Sequence, residues 1–254
     1  MKAVLILARN AWRELWRARF VTLVALFGGV LVYMSLLLGA LAGDIEIRAL
    51  MDMGLAVIEL MTCGAVAYCA ATGLIQEIEQ KTLYLILSRP VPRAAFLAGR
   101  YLGAVAAAGT AAAAMLAAQA VLLAAKGAPP GWELPLAFWG ILLKLVLTGA
   151  AATLLALIST SVLSAMTMTA VIWVLGHFVH EIRFMAERGA GPATALLVPI
   201  AYVLPNFALL DYRDRLHVPG AALGEPLLWG FLYALLYSAV CLGLTAALFR
   251  RKEF

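Results

Sequence analysis

The chain has 254 residues, of which 65% are hydrophobic and only 13% charged, with a mean hydropathy of +0.96. That composition excludes a water-soluble globular fold and specifies a polytopic membrane protein. The net charge of +5 comes from basic residues placed at the ends of apolar runs. This pattern reads as membrane topology and contact with anionic lipid, and it excludes nucleic-acid binding.

In chain order, residues 1–19 lack a short apolar core followed by a small-residue cleavage site, so no cleaved signal peptide is expected. Arg9, Arg13 and Arg17 recur every four residues, while Leu5, Ala8, Trp12, Leu15 and Trp16 populate the other faces. The pattern predicts an amphipathic helix in the headgroup layer, acting as an anchor or as a transmitter of motion. Six apolar runs follow that are long enough to cross a bilayer: Phe20–Ala42, Met53–Ile75, Tyr101–Ala125, Leu136–Ile158, Val162–His180 and Leu227–Phe249. Period-two alternation is absent, and lipid requires each span to satisfy its own backbone hydrogen bonds, so the spans are helices. Gly99 and Gly103 form a GxxxG, and the run from Ala104 to Ala118 is nearly all alanine, which predicts close backbone packing. Gly28 and Gly29 in the first span read the same way.

An inside N-terminus places twelve Lys and Arg residues in the cytosol and six outside, with Lys144 inside a span. The positive-inside rule therefore predicts two cytosolic termini. Between the second and third spans lies a charged amphipathic stretch, Glu77 to Gly103. With Leu83, Ile86 and Leu87 against membrane or helices, Glu77, Glu79, Lys81, Arg89 and Arg93 would face the cytosol, where a soluble partner can push. The longest external stretch, 181–226, holds Ala193–Leu204, which is apolar, too short to cross and interrupted by Pro199; it is expected to be re-entrant. The charges after it, Asp211, Arg213, Asp214 and Arg215, read as a solvated face and not as a site.

Ionisable groups inside spans cost about 3 kcal/mol each on insertion scales and so mark function or pairing. Glu59, Gln119 and Lys144 fall at about 10 Å depth from the outer surface by helical rise, predicting a polar layer with a Glu59–Lys144 ion pair. Independent snorkelling of each side chain is the alternative. His177, His180 and Glu181 share one face of a continuous helix, for which an interfacial structural role is favoured over a zinc or copper site. Cys63, Cys69 and Cys241 fall inside spans without ligand-like spacing and read as small apolar residues.

The chain has no GxxxxGK[ST] and no GxSxG, so neither nucleotide hydrolysis nor serine nucleophilic catalysis has a foothold on it. The stretch EIEQKTLYLILSRPVPRAAFLAGR resembles the cytosolic motif of the membrane subunit of ABC transporters of the type-2 (ABC-2) exporter class. The matching positions are Glu77 or Glu79, Thr82-Leu83, Leu87-Ser88-Arg89-Pro90, Arg93 and Arg100, with Lys81 where that family often has glycine. Tyr202–Asp211, YVLPNFALLD, is similar to a Pro-Asn segment of permeases associated with multicopper-enzyme maturation.

The resemblance implies a single all-α membrane domain over 1–254: six transmembrane helices, the interfacial helix 1–19, a coupling helix within 76–100 and the external loop 181–226 with its re-entrant element. It implies a permease subunit in a bacterial or archaeal cytoplasmic membrane, paired with a second permease copy or a related chain. Cytosolic ABC ATPase subunits would contact Glu77, Glu79, Lys81, Arg89 and Arg93 and carry the ATP and Mg, this chain holding no cofactor. The pathway would be lined by spans one, two and five, which favours an apolar or amphipathic substrate, with the polar layer of Glu59, Gln119 and Lys144 able to serve a small polar solute as the alternative. The alternative is a membrane scaffold or metal-binding assembly factor for an extracytoplasmic enzyme; a gradient-driven transporter would need internal repeats and midplane acids that the sequence lacks.

Overall fold

A computed structural model describes residues 2–15, 21–41, 46–79, 93–128, 131–188, 199, 202–213 and 224–251. The described regular structure is helical: α1 Lys2–Leu15, α2 Val21–Leu41, α3 Glu46–Glu79, α4 Arg93–Ala125, α5 Glu133–Ile158, α6 Val162–His177, α7 Val179–Arg188, a 3-10 turn Phe207–Leu210 and α8 Gly224–Arg251. Among the described residues, α3, α4, α5 and α8 are long and apolar enough to cross a membrane. A fifth span exists if α6 and α7, bent by 61° around Phe178, count as one. The described helices thus give four or five candidate spans where the sequence suggests six; α2, a run of 21 residues without a charge, is not among them.

The helices are longer than the apolar runs they contain. α3 begins seven residues before Met53 and α4 eight residues before Tyr101, because Glu46–Asp52 and Arg93–Arg100 continue the helical ladder past the hydrophobic stretch. α4 stops at Gly127, whose φ of 80° is costly for other residues, with the Gly127 and Ala128 amides donating to the carbonyls of Ala124 and Leu123. α6 starts at Ser161, whose hydroxyl accepts from the Ser164 amide at 3.2 Å.

α3 and α5 form the centre of the bundle, with α4 and α6 alongside them and α8 packed on α5. One end of the core joins five helices through Leu74, Ile75, Phe96, Leu157, Ala165 and Phe249. The α3–α4 seam is built of small residues, Ala65, Cys69, Ala104, Ala107, Ala108 and Ala111. Six buried threonines, at 62, 72, 148, 153, 169 and 245, return their hydroxyls to carbonyls one turn back at 2.6–2.8 Å. They therefore bring no unsatisfied donor into the bundle.

The GxxxG holds α1 to α4 within the chain. A Cβ at Gly99 would meet the Leu7 side chain, and one at Gly103 would meet Ala11 and the Ala8 carbonyl. Trp12 Nε1 donates to Thr110 Oγ1 at 3.2 Å, Ala11 is buried, and Leu5, Ile6, Arg9 and Arg13 face outward.

Candidate functional site

Two buried ionisable residues of different helices meet at one place. Glu59 of α3 is 3% exposed and Lys144 of α5 is 1% exposed. Lys144 Nζ donates to both Glu59 carboxylate oxygens, at 2.9 and 3.0 Å, forming the pair that the sequence suggests. Gln119 belongs elsewhere: its amide donates to the Met51 carbonyl at 2.9 Å and packs against Gly54. Eight residues of α3 separate Met51 from Glu59, about 12 Å at helical rise, so the structure divides the single polar layer into two positions.

Three further residues join Glu59 and Lys144. Arg213 Nη2 donates to Glu59 Oε2, His177 Nε2 lies 3.0 Å from Glu59 Oε1, and Lys144 also reaches Asp211 Oδ2 at 3.1 Å. Arg213 Nε closes the circuit to Asp211 Oδ1 at 3.3 Å. Glu59, Lys144, Asp211 and Arg213 thus form a ring of alternating charge, with His177 held to its hub. His177 Nδ1 lies 2.9 Å from the Trp173 carbonyl, so both ring nitrogens face oxygen atoms. Burial pushes the Asp211 carboxyl up, but Lys144 and Arg213 outweigh it and hold the group below its ordinary value.

Asp211 and Arg213 are therefore not the solvated face expected from sequence; they turn inward, while Asp214 and Arg215 lie outside the described residues. The cause is a set of notches at glycines on three helices. A Cβ at Gly140 of α5 would meet the Leu210 carbonyl and Tyr212; at Gly176 of α6, the Phe207 ring and the Pro205 carbonyl; at Gly230 of α8, the Tyr212 hydroxyl. Phe207, Leu210 and Tyr212 are almost wholly buried. The Asn206 amide donates to Tyr233 Oη at 2.8 Å, and its side chain accepts from the Ala208 amide at 3.1 Å. Phe207 stacks on the His177 ring at 5.2 Å. The Pro-Asn segment accordingly positions the charged ring.

The one-face premise for His177, His180 and Glu181 also changes, because the helix breaks at Phe178 between α6 and α7. His177 turns to Glu59, whereas His180 and Glu181 are exposed. Among the described residues no group of three or more His, Cys, Asp or Glu side chains could hold a metal.

One helical turn from the ring, a half-open cavity of about 110 Å³ lies between α3, α5 and α6. Its walls include Leu60, Cys63, Gly64, Thr148, Thr169 and Trp173. Each helix contributes one ring residue and one cavity residue at a four-residue spacing: Glu59 and Cys63, Lys144 and Thr148, His177 and Trp173. The threonine hydroxyls are already bonded to their own helices, so the walls present an apolar surface.

The segment from the second to the third span is described only at its ends. Lys81 and Arg89 lie outside the described residues, as do Leu83, Ile86 and Leu87. Glu79 ends α3 and Arg93 begins α4. Glu77 is half-buried, with Arg100 Nη2 at 2.7 Å from its Oε1 and 3.3 Å from the Gly73 carbonyl. The two helices that flank residues 80–92 are thereby tied together at their base. The expected re-entrant element falls largely outside the described residues, at 193–198 and 200–201.

Residues 50–249 match the family described as ABC-2 family transporter protein. The chain belongs to the ABC-2 transporter family. No match to it is found among curated proteins. As an ABC-2 permease it is the membrane component of an ABC transporter, without ATPase activity of its own, and the charged ring, the cavity and the α3–α4 base all lie within the matched residues.

Proposed function

We propose that this ABC-2 permease is one half of an exporter of apolar or amphipathic molecules. Two copies, or this chain and a related one, form the pathway, and separate cytosolic ATPase subunits bind ATP and Mg and drive it. The basic residues place both termini and residues 80–92 on the cytosolic side, and the α6–α7 bend and the charged ring toward the outside. Six crossings follow if α2 spans and the bent α6–α7 pair counts as one. α1 lies along the cytosolic headgroup layer. The membrane is the cytoplasmic membrane of a bacterium or archaeon.

Residues 76–100 would form the contact with the ATPase. Glu79, Lys81, Arg89 and Arg93 supply charge to that contact, and Glu77, tied to Arg100, fixes its base. Closure of the ATPases then moves α3 and α4 together and alternates access between the two sides. The observation that carries the substrate class is the cavity between α3, α5 and α6, whose threonine hydroxyls are bonded to their own helices and whose walls are mostly apolar, the Trp173 indole N–H excepted. The likeness to permeases of multicopper-enzyme maturation rests on Tyr202–Asp211 alone, and the family match supports ABC-2 membership without that association.

The test is purification from the native host in mild detergent with a C-terminal tag. Recovery of a P-loop ATPase that is lost on Glu79→Lys with Arg93→Glu supports the reading. Recovery of the chain without an ATPase, under conditions that keep other membrane complexes whole, overturns it.

A further inference from the structure

We infer that the contacts of Glu59 with His177 and Arg213 are the barrier that closes the external end of the cavity between α3 and α6. The inference rests on the pathway and orientation proposed above. Glu59 on α3 and His177 on α6 form a direct tie, 3.0 Å long, between two cavity walls. Arg213 joins the same carboxylate from the 202–213 segment. Immediately inside lie Cys63, Thr148 and Trp173, each one turn from a member of the ring. A molecule leaving the cavity toward the outside meets these side chains first.

The arrangement can part without stranding a charge. A buried ion pair is costly to break when one partner is left uncompensated. Here a separation of α3 from α6 and its attached segment breaks the bonds from His177 and Arg213 to Glu59 and the one from Lys144 to Asp211. Glu59 keeps Lys144, which holds both its oxygens. Arg213 keeps Asp211, through the 3.3 Å contact. His177 keeps the Trp173 carbonyl. Phe207 and Pro205, seated against Gly176, tie the segment to α6, and Leu210 and Tyr212 at Gly140 tie it to α5, whereas its link to α3 is the Arg213–Glu59 bond. The ring is thus two self-neutral pairs meeting along one plane, a geometry suited to repeated opening.

Cys63 is a native reporter, 3% exposed and lining the cavity just inside the barrier. With Cys69 and Cys241 replaced by alanine, the chain is reconstituted in liposomes and Cys63 is labelled from outside with a membrane-impermeant maleimide. His177→Ala and Arg213→Gln together are expected to raise the labelling rate at least tenfold over the parent. His177→Gln alone, which keeps a donor toward Glu59, is expected to stay near the parental rate. His177 and Arg213 are both partly exposed, and elution as a single species confirms that the variants fold. An unchanged Cys63 rate in the folded double variant, or rapid labelling of the parent, overturns the assignment. The transporter reading is tested separately by ATP: in the complex with its ATPase, nucleotide raises parental labelling if that reading holds. Opened Cys63 in the variant with no nucleotide effect leaves the barrier standing and removes the transporter reading.

Discussion

Removing either member of the Glu59–Lys144 pair exposes how the charge is shared. Lys144→Met takes away three contacts, two to Glu59 and one to Asp211. Glu59 still faces Arg213 and His177, so the loss is expected near the low end for a broken buried pair, about 3 kcal/mol. Glu59→Gln is worse: Asp211 alone is then left to balance Lys144 and Arg213, and His177 loses its carboxylate. About 5 kcal/mol is expected. In the double variant Asp211 and Arg213 remain as a matched pair, so the cost is expected to stay about 5 kcal/mol and not to reach the sum of about 8 kcal/mol. The coupling energy is then about 3 kcal/mol, at the upper end for residues in contact. Equilibrium unfolding of the purified protein in mixed micelles, titrated with sodium dodecyl sulfate, measures all four corners of the cycle. Additivity within about 0.5 kcal/mol would mean that the two side chains act independently, and the shared-charge argument would fail.

Gly103→Leu is expected to cost about 1–3 kcal/mol by overpacking against Ala8 and Ala11, and to raise amide exchange across Val4–Leu15; Gly28→Ala, where a Cβ meets nothing, serves as the neutral control. Gly176→Val is expected to cost a similar amount, about 1–3 kcal/mol, by displacing Phe207 and Pro205, and to raise proteolysis around residues 202–213. The Asp211 carboxyl is held below its ordinary value of 3.8, so its contribution is complete above that pH and lost only as pH falls through the lowered value. Protease protection of residues 202–213 should therefore be insensitive to this group from pH 8 down to about pH 5 and weaken only in stronger acid, an Asp211→Asn variant losing that acid-side dependence. Arg100→Gln should loosen the base of the α3–α4 pair, read as faster amide exchange at 76–79 and 93–100, and the exchange of charges in Glu77→Arg with Arg100→Glu should restore protection.

Composition alone fixed the helical membrane class, and helical rise applied to Glu59 and Lys144 was enough to place those two side chains at one level. That inference works because a span has a rigid 1.5 Å rise and a charge inside it needs a partner. It misplaced Gln119, since an amide can satisfy itself on a backbone carbonyl such as that of Met51 and has no need of the charged group. Asp211 and Arg213 were misread for the opposite reason. Their sequence pattern is that of a solvated loop, and what turns them inward is packing by residues far away in the chain. The sign that could have exposed this was Gly140, Gly176 and Gly230, single glycines inside apolar helices, where each weakens its helix and so implies something packed against it. The bend at Phe178 left no comparable trace, because neither proline nor a glycine pair marks it.

The notches and the ring depend on each other. A segment carrying Asp211 and Arg213 gains little from entering the bundle unless its apolar residues are accommodated, and Phe207, Leu210 and Tyr212 are accommodated only because three helices lack a side chain there. Conversely, a buried Glu59 with Lys144 as its sole partner would leave oxygen lone pairs unsatisfied, and Arg213 and His177 supply the missing donors. Loss of any notch should therefore weaken the electrostatics, and loss of the ring should loosen the packing. Measured separately, Gly140→Ala and Arg213→Gln should each raise proteolysis of residues 202–213. Combined, they should do so by less than the product of their separate effects, because one disturbance already releases the same segment.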